Sequence, residues 1–470
     1  MPFARILRSS ALMGGAQIVV LATAFVRTKV IALVLGASGV GLVGIFNAFS
    51  GNVSSFAGWG LGTSGVRLIA GSSEETKPAK VAAVRRMGWT LSLIGLALAL
   101  ILFWPVGRMT FDSSRYAMEM AIVACAVPCV IASSAWSAVL QASGKVASLA
   151  KVQIAGALAG LLVGLPAIYF WGTPGIALSI FLAAAVPAAL LWRAASSECS
   201  AVGEATIVPS DLRQLVSLGG ALMAVSWFGQ LSAYLIRLAI VQQEGLDAAG
   251  YYQAAYAISG SLPGFVFAAM GADFFPRVAA AKDESEARYL TEKQILAGLL
   301  LGTPMIIALL TLGHLCLRLL YANSFDAALP LMDWMTWGVF VRIIAWPFGF
   351  WLLARSSAIA MICVEGAAAL VLTVASVLLL RSHGTTGCAI GFFAGQLFYL
   401  ALLIAMAWRR SRRFFEPHTL GCVFCAALLC LYSQRFVALT SGGYWGLAPT
   451  AFVSFLCFYI YRRVISHDEA

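Results

Sequence analysis

Long apolar runs limit what this chain can fold into more than any other feature. Stretches of roughly twenty residues with few charges recur from one end to the other, and each is long enough to cross the ~30 Å core of a bilayer as a helix. Breaking them at charged or Gly/Pro-rich turns gives candidate spans starting near Ser9, Gly39, Met87, Tyr116, Val146, Gly175, Leu212, Tyr251, Leu290, Asp326, Ala358, Cys388, Thr419 and Tyr444. The expectation is an all-α membrane protein of about fourteen transmembrane helices, which would use about 300 of the 470 residues. Connections are then short and no large soluble domain fits. A composition of 61% hydrophobic and 11% charged residues agrees. A fused ATPase is excluded, and no G-x-x-x-x-G-K-[ST] loop argues otherwise. No cofactor is expected. The four His are scattered, and the Cys422/Cys425 pair reads as packing, because no second ligand pair accompanies it.

The net charge of +11 follows the loops of a membrane topology rather than a nucleic-acid surface. An even span count puts both termini on one side. If that side is cytoplasmic, 22 of the 31 Lys and Arg residues fall inside and only Arg108, Arg115, Arg318, Arg381 and Arg435 outside. Dropping one span would invert every later loop, so the bias supports the count. Arg27, Lys29, Arg237 and Arg342 remain within the membrane.

Arg5, Arg8, the apolar run 11–21 and Ala22-Thr23-Ala24 imitate a signal peptide with an A-x-A site. Cleavage is rejected, because an internal repeat begins in this segment. At an offset of 209 residues, Gly36, Gly41, Ala48, Ser50 and Gly51 line up with Gly245, Gly250, Ala257, Ser259 and Gly260. Arg27 and Arg237 match within one position. The repeat pairs spans 1–6 with spans 7–12: an N-terminal six-helix lobe at 1–194, a cytoplasmic linker at 195–211, a C-terminal six-helix lobe at 212–413, and two additional helices at 414–470. Six is an even number, so the repeats should run parallel around a central cavity holding the substrate.

Gly39, Gly41 and Gly44 match G-x-G-x-x-G, but no strand precedes them and they open a membrane helix. The better reading is a tight turn followed by close helix packing through small residues. Intramembrane charges carry the functional argument, since each costs at least about 2.5–3.5 kcal/mol at the bilayer centre. Ser226, Gln230, Tyr234 and Arg237 make one polar stripe on the seventh span, and Asn47, Ser50 and Ser54 another on the second. A water-filled cleft would explain both. Lys29 lies about 200° around the helix from Arg27, so the two cannot share one cavity. The alternative is that Arg27, Lys29 and Arg237 snorkel to the interface. Guanidinium forks in a semi-dry cleft suit phosphate, which they hold bidentately. Arg342 sits near mid-span, and Glu365 comes out at a similar depth, so the two form either a static pair or a protonatable couple. Trp104, Trp334, Trp337 and Trp346 read as belt or packing residues.

The run RTKVIALVLG at 27–36 leading to the Gly-rich turn, and GYYQAAYAIS at 250–259, resemble the Wzx-type polysaccharide translocases of the multidrug/oligosaccharidyl-lipid/polysaccharide exporter superfamily. So do FFPRV at 274–278, ARSS at 354–357 with Glu365 downstream, and GCAIG at 387–391. The resemblance extends over roughly 8–413. It implies a flippase, not an enzyme, in a bacterial inner membrane. Such a protein moves undecaprenyl-pyrophosphate-linked oligosaccharide repeat units, as of O-antigen or exopolysaccharide, to the periplasmic leaflet by alternating access. Membrane lipids, a polysaccharide polymerase and a chain-length regulator are the further partners it implies. Lys29, Arg237, Arg342, Arg355 and Glu365 match charged positions of the family pattern. On this reading Arg27, Lys29, Asn47, Gln230, Tyr234, Arg237 and Arg342 contact pyrophosphate and sugar. Glu365 couples an ion, and Arg277 and Arg355 form a cytoplasmic gate or headgroup contact.

The chain departs from many members by continuing past the basic cluster at 409–413. Fourteen spans also resemble the related lipid II flippases, which keeps that substrate open. A cation-coupled drug antiporter of the same superfamily would favour acidic over basic groups in the cleft. A membrane glycosyl-transferring enzyme would need a sizeable outer loop, and the expected outer loops here are about ten residues or shorter.

Overall fold

Among the described residues nine helices are long and apolar enough to cross a membrane. A computed structural model of the chain describes residues 2–73, 75–199, 209–355, 357–410 and 417–439, with side chains of most of them from Gly14 onward. Three of the nine are about double length: Gly14–Ala57 with 44 residues, Leu215–Gly260 with 46 and Ile359–Arg409 with 51. At 1.5 Å per residue each exceeds twice the bilayer core, so each must fold back on itself. Each does so at one glycine: Gly36 (φ 68°, ψ −158°), Gly245 (φ 88°, ψ −177°) and Gly384 (φ 62°, ψ −156°). These angles lie in a region that only glycine occupies without strain. The expected span starting near Tyr444 lies outside the described residues, as does most of the expected linker.

The chain divides into two compact units, Met1–Gly250 and Tyr251–Ala470. The first contains α1 (Pro2–Ala57), α2 (Leu61–Ala70), α3 (Lys77–Phe111), α4 (Ala117–Ala124), α5 (Ala126–Ala142), α6 (Val146–Trp171), α7 (Thr173–Cys199) and the beginning of α8 (Pro209–Ala280). Two details differ from the sequence expectation. The stretch 67–86, expected as a loop, is not a plain one: the short helix α2 occupies its start and α3 begins at Lys77. The fourth span is split into α4 and α5 at Cys125. Helix α2 is strongly one-sided, burying Leu61, Leu68 and Ile69 in a cluster with Trp136, Val139 and Leu215. It enters through Gly60 at φ 61°, where a side chain would strike the carbonyl of Gly219.

Unit 1 carries two close glycine contacts that fix its architecture. A Cβ on Gly41 would overlap the Leu246 carbonyl, and one on Gly250 would overlap the Ala37 carbonyl. Gly41 and Gly250 are 209 positions apart, as are Ala37 and Leu246, so the contact is reciprocal, as a two-fold relation between duplicated segments demands. Along the α6/α7 hairpin, Gly156, Gly160 and Gly164 pack against Pro187, Ala183 and Ser179. Three glycines at four-residue spacing let the two backbones approach without side chains between them.

Unit 2 continues α8 and adds α9 (Glu284–Leu320), a 3₁₀ turn (Asn323–Ala328), α10 (Leu329–Arg355), α11 (Ala358–Arg410) and α12 (Pro417–Leu439). Helix α10 packs between α9 and α11, and α12 lies against α9. Trp351, Phe348, Phe325 and Tyr321 are fully enclosed in this layer. The hairpin within α11 closes like α6/α7 but with the glycines on its second arm: Gly387, Gly391 and Gly395 meet Leu379, Ser376 and Leu372. The hairpin glycines Gly172 (φ 62°) and Gly384 (φ 62°) stand 212 positions apart, close to the offset of Gly36 and Gly245.

Candidate functional site

Arg27 lies on the first arm of α1 and lines a cavity of about 350 Å³ built wholly from unit 1, between α1, α6 and α7. The other polar groups on its wall are Gln17, Thr23 and Gln153. Gln17 and Arg27 are ten residues apart, so the cavity extends about 15 Å along the helix. Its far wall is the glycine-zipped α6/α7 hairpin at Gly160, Ala183 and Pro187. Gln153 Oε1 is buried and accepts no hydrogen bond from the described residues. Arg27 makes no hydrogen bond or ion pair with another described residue. A cation and a buried acceptor left open in one cavity are what a ligand carrying both negative charge and hydroxyl groups would satisfy. Thr23 bonds back to its own helix at Val20 O, 2.8 Å.

The remaining expected site residues do not gather around Arg27. Lys29 is half-buried and absent from the cavity wall, as its position on the helix requires. Arg237 is buried, and its Nη1 donates to Ala233 O at 2.7 Å, one turn back on its own helix. Tyr234 shares a 2.8 Å hydrogen bond with Thr110 Oγ1, tying α8 to the end of α3. Gln230 and Asn47 have exposed side chains. The polar contact between their two segments runs instead through Asn52, whose Nδ2 donates to Gln230 O at 2.8 Å. Asn52, Thr110 and Gln153 were invisible to a reading that searched for charges and stripes. Their spacing to Arg27 or the seventh span is long-range, and single amides and hydroxyls on apolar helices are common. A further buried group missed by that reading is Glu119, which accepts from Thr173 Oγ1 at 3.2 Å.

In unit 2, Glu365 is half-buried on the first arm of α11 and accepts a 2.7 Å hydrogen bond from the Tyr399 hydroxyl on the second arm. Arg342 on α10 is exposed and acts on Glu365 through its charge. The direct donor to the carboxylate is thus a tyrosine rather than the arginine. At the other end of α10, Arg355 Nη2 donates to the carbonyls of Ala281 at 2.5 Å and Asp283 at 3.1 Å. Asp283 caps α9, and Glu284 accepts from Trp351 Nε1 at 2.9 Å. Arg355 thereby clamps the α8–α9 turn, while Arg277 is exposed nearby in sequence.

Double-length helices broken at paired glycines, a duplicated hairpin and charges held at membrane depth define a helical membrane protein of transporter architecture. The chain belongs to the polysaccharide biosynthesis protein family, whose model matches residues 6–282. That stretch includes the whole Arg27 cavity. The fold is also similar to those of solved transporters, two of them described as MOP superfamily members. The lipid II flippase MurJ in an inward closed conformation is 13% identical, with a TM-score of 0.74 over 98% of this chain and 99% of that one. An inward-facing multidrug resistance MATE family transporter is 15% identical, with a TM-score of 0.63 over 84% of this chain and 98% of that one. A MOP superfamily transporter from Pyrococcus furiosus is 12% identical, with a TM-score of 0.59 over 87% of this chain and 96% of that one. No curated protein matches the chain by sequence.

Proposed function

We propose that the chain is a flippase for undecaprenyl-pyrophosphate-linked oligosaccharide, carrying it from the cytoplasmic to the periplasmic leaflet of a bacterial inner membrane by alternating access. The observation that carries this reading is the Arg27 cavity: a guanidinium and a buried amide oxygen, both without a hydrogen-bond partner among the described residues, inside a family of polysaccharide biosynthesis proteins. The guanidinium suits a phosphate oxygen, and the amides of Gln17 and Gln153 suit hydroxyls of the first sugar. Glu365, held by Tyr399 and within the field of Arg342, is the group proposed to couple a proton or cation. Lys29, Asn47, Gln230, Tyr234 and Arg237 belong to the proposed substrate path, and Arg277 and Arg355 to its cytoplasmic mouth.

A lipid II substrate is the second reading, favoured by one observation. The likeness to the lipid II flippase extends over 98% of this chain, including the helix after the duplicated part, whereas the MATE transporter covers 84%. The deciding experiment is translocation in proteoliposomes holding the full chain, with a fluorescent undecaprenyl-pyrophosphate-linked oligosaccharide and, separately, fluorescent lipid II. Protection of the oligosaccharide substrate from an external quencher supports the main reading. Movement of lipid II alone supports the second, and movement of neither refutes both.

A further inference from the structure

A second cavity lies in unit 2, and none of the expected site residues lines it. It measures about 600 Å³, within the range of small-molecule sites, and is formed by α10, α11 and α12. Asp333, Trp334 and Trp337 come from α10, Phe393 from α11, and Gln434 and Arg435 from α12. Trp337 Nε1 donates to Gln434 Oε1 at 3.1 Å, which fixes the amide on the same wall as the Asp333 carboxylate. Trp337 is thus a strut of the cavity rather than a free belt residue. Trp334 leaves 38% of its surface open and leans on Phe393 with ring centroids 5.7 Å apart. Arg435 completes the rim and makes no hydrogen bond or ion pair with another described residue.

We infer that this cavity is a carbohydrate-binding subsite for a neutral or N-acetylated hexose. An open indole face offers the C–H side of a sugar ring an apolar platform of fixed shape. A carboxylate accepts from two neighbouring hydroxyls at once, and a guanidinium fork donates to a third oxygen. Such a set of planar polar groups beside an aromatic face discriminates sugars from lipid tails, which would gain nothing from Asp333. The loop charges assign this end of α10 to the extracytoplasmic side, where a translocated glycan emerges. The subsite also gives a purpose to α12, which lies beyond both the duplicated part and the family match at 6–282. The inference stands on the chemistry of its own wall. It holds or fails by binding, whether or not the flippase reading is right.

The test uses the full chain in phosphatidylcholine nanodiscs and saturation-transfer NMR with glucose, galactose and N-acetylglucosamine. At least one sugar should receive saturation, and Asp333→Asn and Trp334→Leu should each weaken it by at least about tenfold, the effect of losing one good contact. Arg435→Gln, at the exposed rim where it cannot disturb folding, should weaken it several-fold. Binding that survives all three substitutions overturns the assignment. So does the absence of transfer to any of the sugars. A phosphatidylglycerol molecule retained by the wild type in native mass spectrometry and lost from Asp333→Asn, without sugar binding, would assign the cavity to a lipid headgroup and overturn it as well.

Discussion

Arg27 in unit 1 and Glu365 in unit 2 are both ionisable groups at a depth where charge is expensive, yet the protein treats them in opposite ways. Arg27 lines a mainly apolar cavity, and Gln153 on the same wall carries a buried Oε1 that has no hydrogen-bond partner among the described residues. Glu365 is held by a 2.7 Å hydrogen bond from Tyr399 and sits in the field of Arg342. An unsatisfied cation in a cavity is a group waiting for a ligand. A carboxylate with a fixed donor is a group that already has a partner within the protein, so its use is to change protonation or partner rather than to hold cargo. The same contrast separates Arg27 from Arg237, its counterpart in the repeat, which is buried and bonded to its own helix.

That difference predicts the largest effect at Arg27. Replacing it by Ala should lower translocation in proteoliposomes roughly ten- to a hundredfold at equal protein levels, the equivalent of a charged hydrogen bond of about 1.5–3 kcal/mol. Arg27→Lys should recover part of it, because the charge returns without the fork. Equal activity of wild type and Arg27→Ala would remove the contrast altogether. The next effect concerns Glu365. Tyr399→Phe leaves a carboxylate without its donor and should destabilise the protein by about 1–3 kcal/mol, read as a lower thermal midpoint in detergent. Glu365→Gln keeps an acceptor for Tyr399 and should hold the midpoint while flattening the pH dependence of transport. A pH profile unchanged in Glu365→Gln would reduce this residue to a static support.

Glycines sharpen the comparison on the structural side. Gly250→Ala would force a Cβ into the Ala37 carbonyl, and overpacking of this kind costs about 1–3 kcal/mol. Gly229→Ala meets nothing within 4 Å on a helical segment and should instead stabilise by about 0.5–1 kcal/mol. Opposite shifts of the melting temperature would show that the reciprocal crossing at Gly41 and Gly250 is a packed contact and not a loose juxtaposition.

Much of this architecture can be read from the sequence because it rests on local signals. Apolar length sets the helices, the offset of 209 marks Gly36 and Gly245, and both glycines prove to be the breakpoints of double-length helices. Charge in an apolar run singles out Arg27, Arg342 and Glu365 without reference to any partner. What pairs with them is another matter. Gln153 and Gln434 are brought to their sites by helices far apart in sequence, Tyr399 by the fold-back of α11 at Gly384, and one amide or phenol on an apolar helix carries no periodic signature. The reading of Trp337 as belt or packing leaves its partner open for the same reason: an indole looks alike whether its N–H faces water or an acceptor such as Gln434.

The smallest effect tests whether the engaged charges of unit 2 extend to its surface. Asp283 accepts from the Glu286 amide at 2.8 Å and the Ser285 hydroxyl at 2.7 Å, and these bonds, aided by the charge of Arg355, hold its carboxyl below the usual carboxylate range. A lowered value in the folded state means that the carboxylate's contribution is complete above the unfolded value near pH 4 and fades as the pH falls through the lower, folded one. The group is fully exposed, so the effect is confined to the turn that Arg355 clamps. Amide exchange at 282–286 should be flat from pH 5 to 8 once corrected for intrinsic rates, and protection should drop only below about pH 4. Asp283→Asn, which caps a helix equally well without titrating, should keep its protection at low pH. If wild type and Asp283→Asn lose protection together, the turn is held by the Arg355 bonds to its carbonyls, and the capping carboxylate adds nothing of its own.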